Sequence, residues 1–180
     1  LITFTQASTN VSCNGGSDAT ITITNTTTGN PAIQYSIDGG VTFQTTGIFT
    51  GLAAGTYFPV CNYLNGTCNA TGTQIVITEP TQITTTTAST DATCNSSGDG
   101  TATVTPSGGT GTYTYLWNTT PPQTTQTATG LNQGTFTVTI TDANNCQIDT
   151  TVDVNVPSPI ILNMTSTNLS CLGASDGTAT

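Results

Sequence analysis

A ten-residue signature written three times constrains this chain more than any other feature. Cys13-Asn-Gly-Gly-Ser-Asp18-Ala-Thr-Ile-Thr returns as Cys94-Asn-Ser-Ser-Gly-Asp99-Gly-Thr-Ala-Thr and as Cys171-Leu-Gly-Ala-Ser-Asp176-Gly-Thr-Ala-Thr. Successive cysteines lie 81 and 77 residues apart, a period too long for a solenoid turn and suited to a small β-sandwich. A second anchor keeps step: Gly51-Leu-Ala-Ala-Gly55-Thr-Tyr57 follows the first cysteine as Gly130-Leu-Asn-Gln-Gly134-Thr-Phe136 follows the second. Each copy closes on proline, at Pro80 and at Pro157-Ser-Pro159, where a ladder hydrogen bond cannot continue. The expected units are residues 1–80 and 81–159. Residues 160–180 read as the first strand and turn of a third unit, which needs more chain or a neighbouring copy to complete a core.

Inside a unit the period is two. Gly134-Thr-Phe136-Thr-Val138-Thr-Ile140-Thr sets three apolar side chains on one face and threonines on the other, the pattern of a strand with one face in a core. Ala19, Ile21 and Ile23; Ile33, Tyr35 and Ile37; Ala102 and Val104; Tyr113, Tyr115 and Trp117; and Val152, Val154 and Val156 alternate in the same way. Threonine supplies 47 of the 180 residues, and its β-branch suits a pleated, half-buried surface. No stretch repeats at 3.6. The fold expected is all-β: tandem Ig-like antiparallel sandwiches of about 80 residues, stacked end to end, with essentially no helix. Six strands are expected in the second unit, at 82–93, 100–106, 112–118, 123–129, 134–142 and 147–156.

Composition excludes most chemistry. The chain has no Lys, Arg or His and nine acids, for a net charge of −9. It lacks the cationic side chains that bind nucleic-acid phosphates and the imidazole and lysine groups behind most acid–base and covalent catalysis. Neither a catalytic site nor a cofactor is expected. No apolar run is long enough to span a membrane. The chain opens at Leu1 without a basic leader and so reads as an interior or processed piece.

Six cysteines without histidine point to disulfides and an oxidising, extracellular compartment. Each full unit has one cysteine after its first strand and one before its last. If strand direction alternates through all six strands, the 1–2 and 5–6 turns share an end, and Cys13–Cys68 and Cys94–Cys146 are the expected pairs. Cys61 aligns with the inward Ile140 and reads as a buried free thiol, Cys171 as awaiting a partner outside the chain. The rival pairs Cys61 with Cys68 and leaves Cys13 free.

Asp18, Asp99 and Asp176 occupy one repeated position with two readings: calcium ligands, since hard cations take oxygen donors, or turn formers bonded to their own loop. With no Asp-x-Asp-x-Asp cluster beside them, the turn reading leads and no other metal site is expected. Asn-x-Ser/Thr glycosylation sequons occur at Asn10, Asn25, Asn65, Asn69, Asn95, Asn118, Asn163 and Asn168. Tyr113, Tyr115 and Trp117 read as core or as a sugar-stacking strip, and Leu52-x-x-Gly55-x-Tyr57 as a tyrosine corner.

The second unit, through Cys94, Gly100, Tyr113, Trp117, Gly130, Asp142 and Cys146, resembles the SprB-type repeat. The first departs where Ile37 replaces the tryptophan, Pro59 interrupts the fifth strand and Cys61 is added. Such repeats belong to large cell-surface adhesins and gliding-motility filaments of Bacteroidota exported by type IX secretion. The resemblance implies a non-enzymatic segment of an extracellular, cell-surface stalk or filament, whose partners are further repeats or neighbouring copies. The alternative it leaves open is an adhesive module whose end loops bind a glycan or a surface.

Overall fold

The computed structural model describes residues 1–29, 32–64, 66, 68–94, 97–158, 160–168, 170–172, 175–176 and 178–179. Every regular element among them is a strand. In the first sandwich β1 (Phe4–Ser8), β2 (Ala19–Asn25) and β4 (Ile48–Leu52) form one sheet in the order β1-β2-β4. Facing it are β3 (Ile33–Ser36), β6 (Val60–Tyr63) and β7 (Asn69–Thr71), with β5 (Gly55–Tyr57) paired to β8 (Ile75–Ile77). The second sandwich sets β9 (Thr84–Thr90), β10 (Gly100–Ser107) and β12 (Thr127–Leu131) against β11 (Thr114–Trp117), β13 (Gly134–Thr141) and β14 (Gln147–Val154). All the strand pairs are antiparallel. Strands one, two and four over three, five and six is the Ig-like layout. In the first unit the fifth and sixth strands are each split in two, the fifth at Phe58-Pro59, where proline has no N–H for the ladder.

Alternation decides which faces meet. Ala19, Ile21 and Ile23 are buried with Ile33, Cys61, Ile75 and Ile77. A separate core holds Ala102, Val104, Trp117, Val138, Ile140, Val152 and Val154. Trp117 is 1% exposed and donates from Nε1 to the carbonyl of Thr125 at 2.9 Å, while Tyr113 and Tyr115 pack half-buried against the same core. These aromatics belong to packing. Tyr57 Oη donates to the carbonyl of Ala53 at 2.9 Å, forming the tyrosine corner.

The fourth strand of the second unit lies at 127–131, later than the expected 123–129, because residues 123–126 are a crossing between sheets. Gln123 O still accepts from Trp117 N at 2.9 Å, whereas Gln126 O already accepts from Val104 N at 3.2 Å in the other sheet. The first unit does the same. Gln44 exchanges both backbone bonds with Tyr35, at 2.8 and 2.9 Å, and Gly47 O then accepts from Ile23 N at 2.7 Å.

The connection between the third and fourth strands therefore makes a return pass, and these two strands run in the same direction. Alternation of direction fails there. The first turn (β1–β2, β9–β10) ends up at the end of the sandwich where the last strand exits, and the last turn (β6–β7, β13–β14) at the opposite end. Cys94 and Cys146 are thus separated by the length of β13, roughly 25 Å at the usual rise per residue, far beyond the Cα spacing a disulfide allows. Cys13 and Cys68 are separated in the same way. Neither expected pair forms, and the disulfide present is Cys13–Cys146, with Cα atoms 5.6 Å apart. Cys61, Cys68, Cys94 and Cys171 are free. Cys61 is fully buried, and burial pushes its thiol up to about 11; the rival Cys61–Cys68 pair is absent as well.

After the second sandwich, β15 (Ser166–Thr167) pairs with β16 (Thr178–Ala179). This hairpin repeats details of the first two. The Thr9–Thr20 hydroxyl contact recurs as Thr90–Thr101 and Thr167–Thr178, and Thr20 N and Thr178 N donate to the partner hydroxyl at 2.9 and 3.1 Å. Ile160, Ile161, Leu162 and Met164 are each at least 77% exposed. Leu169 lies outside the described residues.

Candidate functional site

The candidate site is the junction closed by Cys13–Cys146. Each side is built by its own loop. On the first unit, the loop after β1 is tied to the exit of β8: Val11 N donates to Thr78 O at 3.0 Å and Thr78 N to Asn10 Oδ1 at 3.1 Å. Gly15 N donates to Glu79 Oε2 at 2.7 Å, and Asn14 Nδ2 reaches Glu79 Oε1 at 3.2 Å and Pro80 O at 3.1 Å. Cys13 is therefore held where the chain leaves for the second unit.

On the second unit, Asp142 organises the turn that carries Cys146. Its Oδ1 accepts from the backbone N–H groups of Asn144 and Cys146, both at 2.9 Å, and its Oδ2 from Thr110 N at 2.8 Å. Burial of this carboxyl opposes its charge, but the donors of Cys146, Thr110 and Asn144 outweigh that and hold it below the ordinary carboxylate range. Asn145 completes the turn at φ 65°, a left-handed conformation asparagine tolerates. Gly109 closes against the same carboxylate: at φ +62°, an added Cβ would lie 2.8 Å from Asp142 Oδ2 and from Ile83 Cγ1. Across the junction Asn144 Nδ2 donates to Ser12 O at 2.9 Å. The cleft beside the disulfide is lined by Pro80, Ile83, Asp142 and Ile148.

In the sequence Asp142 stands out only among the residues of family resemblance, and Glu79, beside Pro80, has no motif of its own. The Asp-Ala-Asn-Asn run before Cys146 was the available signal for an Asx-type turn.

The repeated aspartates close their own loops. Asp18, Asp99 and Asp176 accept from the backbone N–H six residues upstream, on Ser12, Thr93 and Ser170, at 3.0, 3.0 and 3.1 Å. Asp99 also takes the hydroxyls of Ser97 and Thr93, the latter at 2.5 Å. No group of three metal-ligating side chains occurs among the described residues. Of the sequons, Asn10, Asn25 and Asn118 use their side-chain carbonyls on the N–H groups of Thr78, Thr27 and Thr137. Asn69, Asn163 and Asn168 are exposed, and Asn65 and Asn95 lie outside the described residues.

The hydroxyl of Ser97, then that of Thr93 and its N–H, lower the Asp99 carboxyl from 3.8 to about 2. A depressed carboxylate stabilises its loop at pH values above its unfolded pKa, and that support is lost as pH falls through the folded one. Titration of the Asp99 carboxyl carbon by NMR is expected to show a midpoint near 2, with the Thr93 amide losing hydrogen-exchange protection between pH 4 and 2. An ordinary midpoint near 3.8 would mean the loop bonds are not made in solution.

Residues 5–42 and 86–121 match the SprB repeat model, covering β1 to β3 and β9 to β11 together with the Cys13 and Cys94 loops. Two segments of this chain match the SprB repeat. The chain matches no curated protein. Among solved structures it is similar to the three N-terminal domains of the bacteriophage RB49 highly immunogenic outer capsid protein (11% identity, 86% of this chain and 58% of that one, TM-score 0.44). It is also similar to the C-terminal fragment of intimin solved with the translocated intimin receptor's intimin-binding domain (16%, 86% and 64%, TM-score 0.41), and to domains 1–6 of the surface layer protein SbsC (16%, 92% and 29%, TM-score 0.33). The chain thus spans less than two thirds of each of these. The Ig-like layout of the two sandwiches rests on their own strand order. No helix among the described residues is long and apolar enough to cross a membrane.

Proposed function

We propose that this chain is a non-enzymatic, extracellular structural segment of a cell-surface filament or stalk. Units 1–80 and 81–159, with a third begun at 160–180, space and stiffen a polymer under tension. The observation that carries this reading is the disulfide between units. A bond from Cys13 to Cys146 spans 133 residues, so a pull applied at the two ends of the chain bypasses everything between them. The SprB match supports a surface role, and the repeated hairpin at 166–179 supports further stacking. An adhesive role gains nothing from Trp117, Tyr113 and Tyr115, since they belong to the core.

Pulling single molecules from Leu1 and Thr180 tests the reading. The oxidised chain is expected to release roughly 450 Å less length on unfolding than the reduced chain, at about 3.4 Å for each of the bypassed residues. Equal lengths in both states would remove the tension-bearing role. Labelling of intact source cells by antibodies to these units tests the surface location.

A further inference from the structure

The two exposed free cysteines of the complete units are not placed at random. Cys94 is the structural counterpart of Cys13. Ser97 N donates to Cys94 O at 3.2 Å, as Gly16 N donates to Cys13 O at 3.0 Å. Its loop is tied to the exit of the last strand in the same way. Ala92 N donates to Asn155 O at 2.9 Å and Asn155 N to Asp91 Oδ1 at 3.1 Å, matching the Val11–Thr78–Asn10 arrangement of the first unit. Cys68 is the counterpart of Cys146: Tyr63 N donates to Cys68 O at 3.1 Å, as Asp142 N does to Cys146 O at 3.0 Å. One end of every sandwich thus carries a first-turn cysteine beside the exiting chain, and the opposite end a last-turn cysteine.

We propose that Cys94 and Cys68 make the same inter-unit disulfide as Cys13 and Cys146. Cys94 bonds the last-turn cysteine of the unit that follows the second sandwich, and Cys68 bonds the first-turn cysteine of a unit stacked before the first. The partner in both cases is a further repeat of this kind, joined head to tail. Cys171, in the first-turn position of the third copy, is the next member of the series. The bond forms by thiol–disulfide exchange with a small-molecule disulfide. One cysteine thiolate displaces a thiol from it, and the second displaces the other thiol from the mixed disulfide. Two protein thiols are oxidised, the small disulfide is reduced to two thiols, and these carry away both protons. The inference rests on the structural reading above and extends it from one staple to a continuous series.

The test uses the 180-residue chain and a longer one, residues 1–158 followed by a second copy of 81–158 that carries serine at position 94, both refolded with oxidised and reduced glutathione. In the 180-residue chain, Cys68 and Cys94 are expected to be alkylated under native conditions and Cys61 only after unfolding. In the longer chain Cys94 is expected to lose its native alkylation, and non-reducing peptide maps should join it to the Cys146 of the appended copy. Cys94→Ser should then leave that appended Cys146 open to alkylation. If Cys94 still reacts in the longer chain while Cys13–Cys146 is intact and the appended copy gives sandwich-like hydrogen-exchange protection, the proposal is overturned and the structural reading stands. If Cys13–Cys146 is missing from the maps of both chains, both fall.

Discussion

Replacing Cys146 with serine is expected to lower the melting temperature of both sandwiches, by on the order of 20 °C each, although the substitution lies in only one. The reason is where the bond sits. Cys13 is pinned beside Pro80 by Asn14 and Glu79, and Cys146 is set against the start of the second unit through Asp142, Gly109 and Ile83. When either unit unfolds alone, the disulfide closes a loop of roughly 65 residues in it, and the chain-entropy relation assigns such a loop about 4 kcal/mol. A domain of this size moves by about 5 °C per kcal/mol. Bonds internal to each unit would behave differently, since losing Cys146 would then leave the first sandwich untouched. Calorimetry of the Cys146→Ser chain separates the two cases: a fall confined to the second transition would contradict the bond between units. Cys13→Ser should reproduce the double fall, whereas Cys94→Ser in the 180-residue chain should move neither transition.

The core was legible in the sequence because it depends on local alternation. Ala19, Ile21, Ile23, Val138 and Ile140 are buried where period two puts them, and Tyr57 reaches back to Ala53 as its spacing implies. The turn role of Asp18, Asp99 and Asp176 was legible for the same reason, since each bonds a residue only six positions away. The disulfide was not. Cysteine pairing depends on which end of the sandwich each turn occupies, and that depends on whether residues 37–47 and 118–126 make a return pass. Those stretches are rich in Gly, Thr and Pro, with no periodicity to register a strand. The pass is visible only in the bonds of Gln44 and Gln123 to one sheet and of Gly47 and Gln126 to the other. Reading six strands as strictly alternating put paired cysteines at one end of one unit. In the fold they lie at opposite ends, and the available partner is in the neighbouring unit.

Trp117→Ala is expected to destabilise the second sandwich directly and the first only through the disulfide. Trp117 is the largest fully buried side chain in the molecule, packed among Val104, Val138, Ile140 and Val154. Truncating a buried tryptophan costs about 3–5 kcal/mol, from about a third to all of the roughly 5–10 kcal/mol that a domain of this length holds. The two cores share no residue, so the loss stops at the junction except for what the disulfide transmits. Residue-resolved hydrogen exchange checks this: amides of β10 and β13 should lose protection while those of β2 keep theirs. Trp117→Phe retains most of the ring volume and gives up the bond to Thr125, a carbonyl on an exposed residue that water can serve, so it should leave both sandwiches folded with a loss of about 1–2 kcal/mol in the second. A Trp117→Ala chain with β10 and β13 still protected would mean that this side chain is not what fills the gap between the sheets.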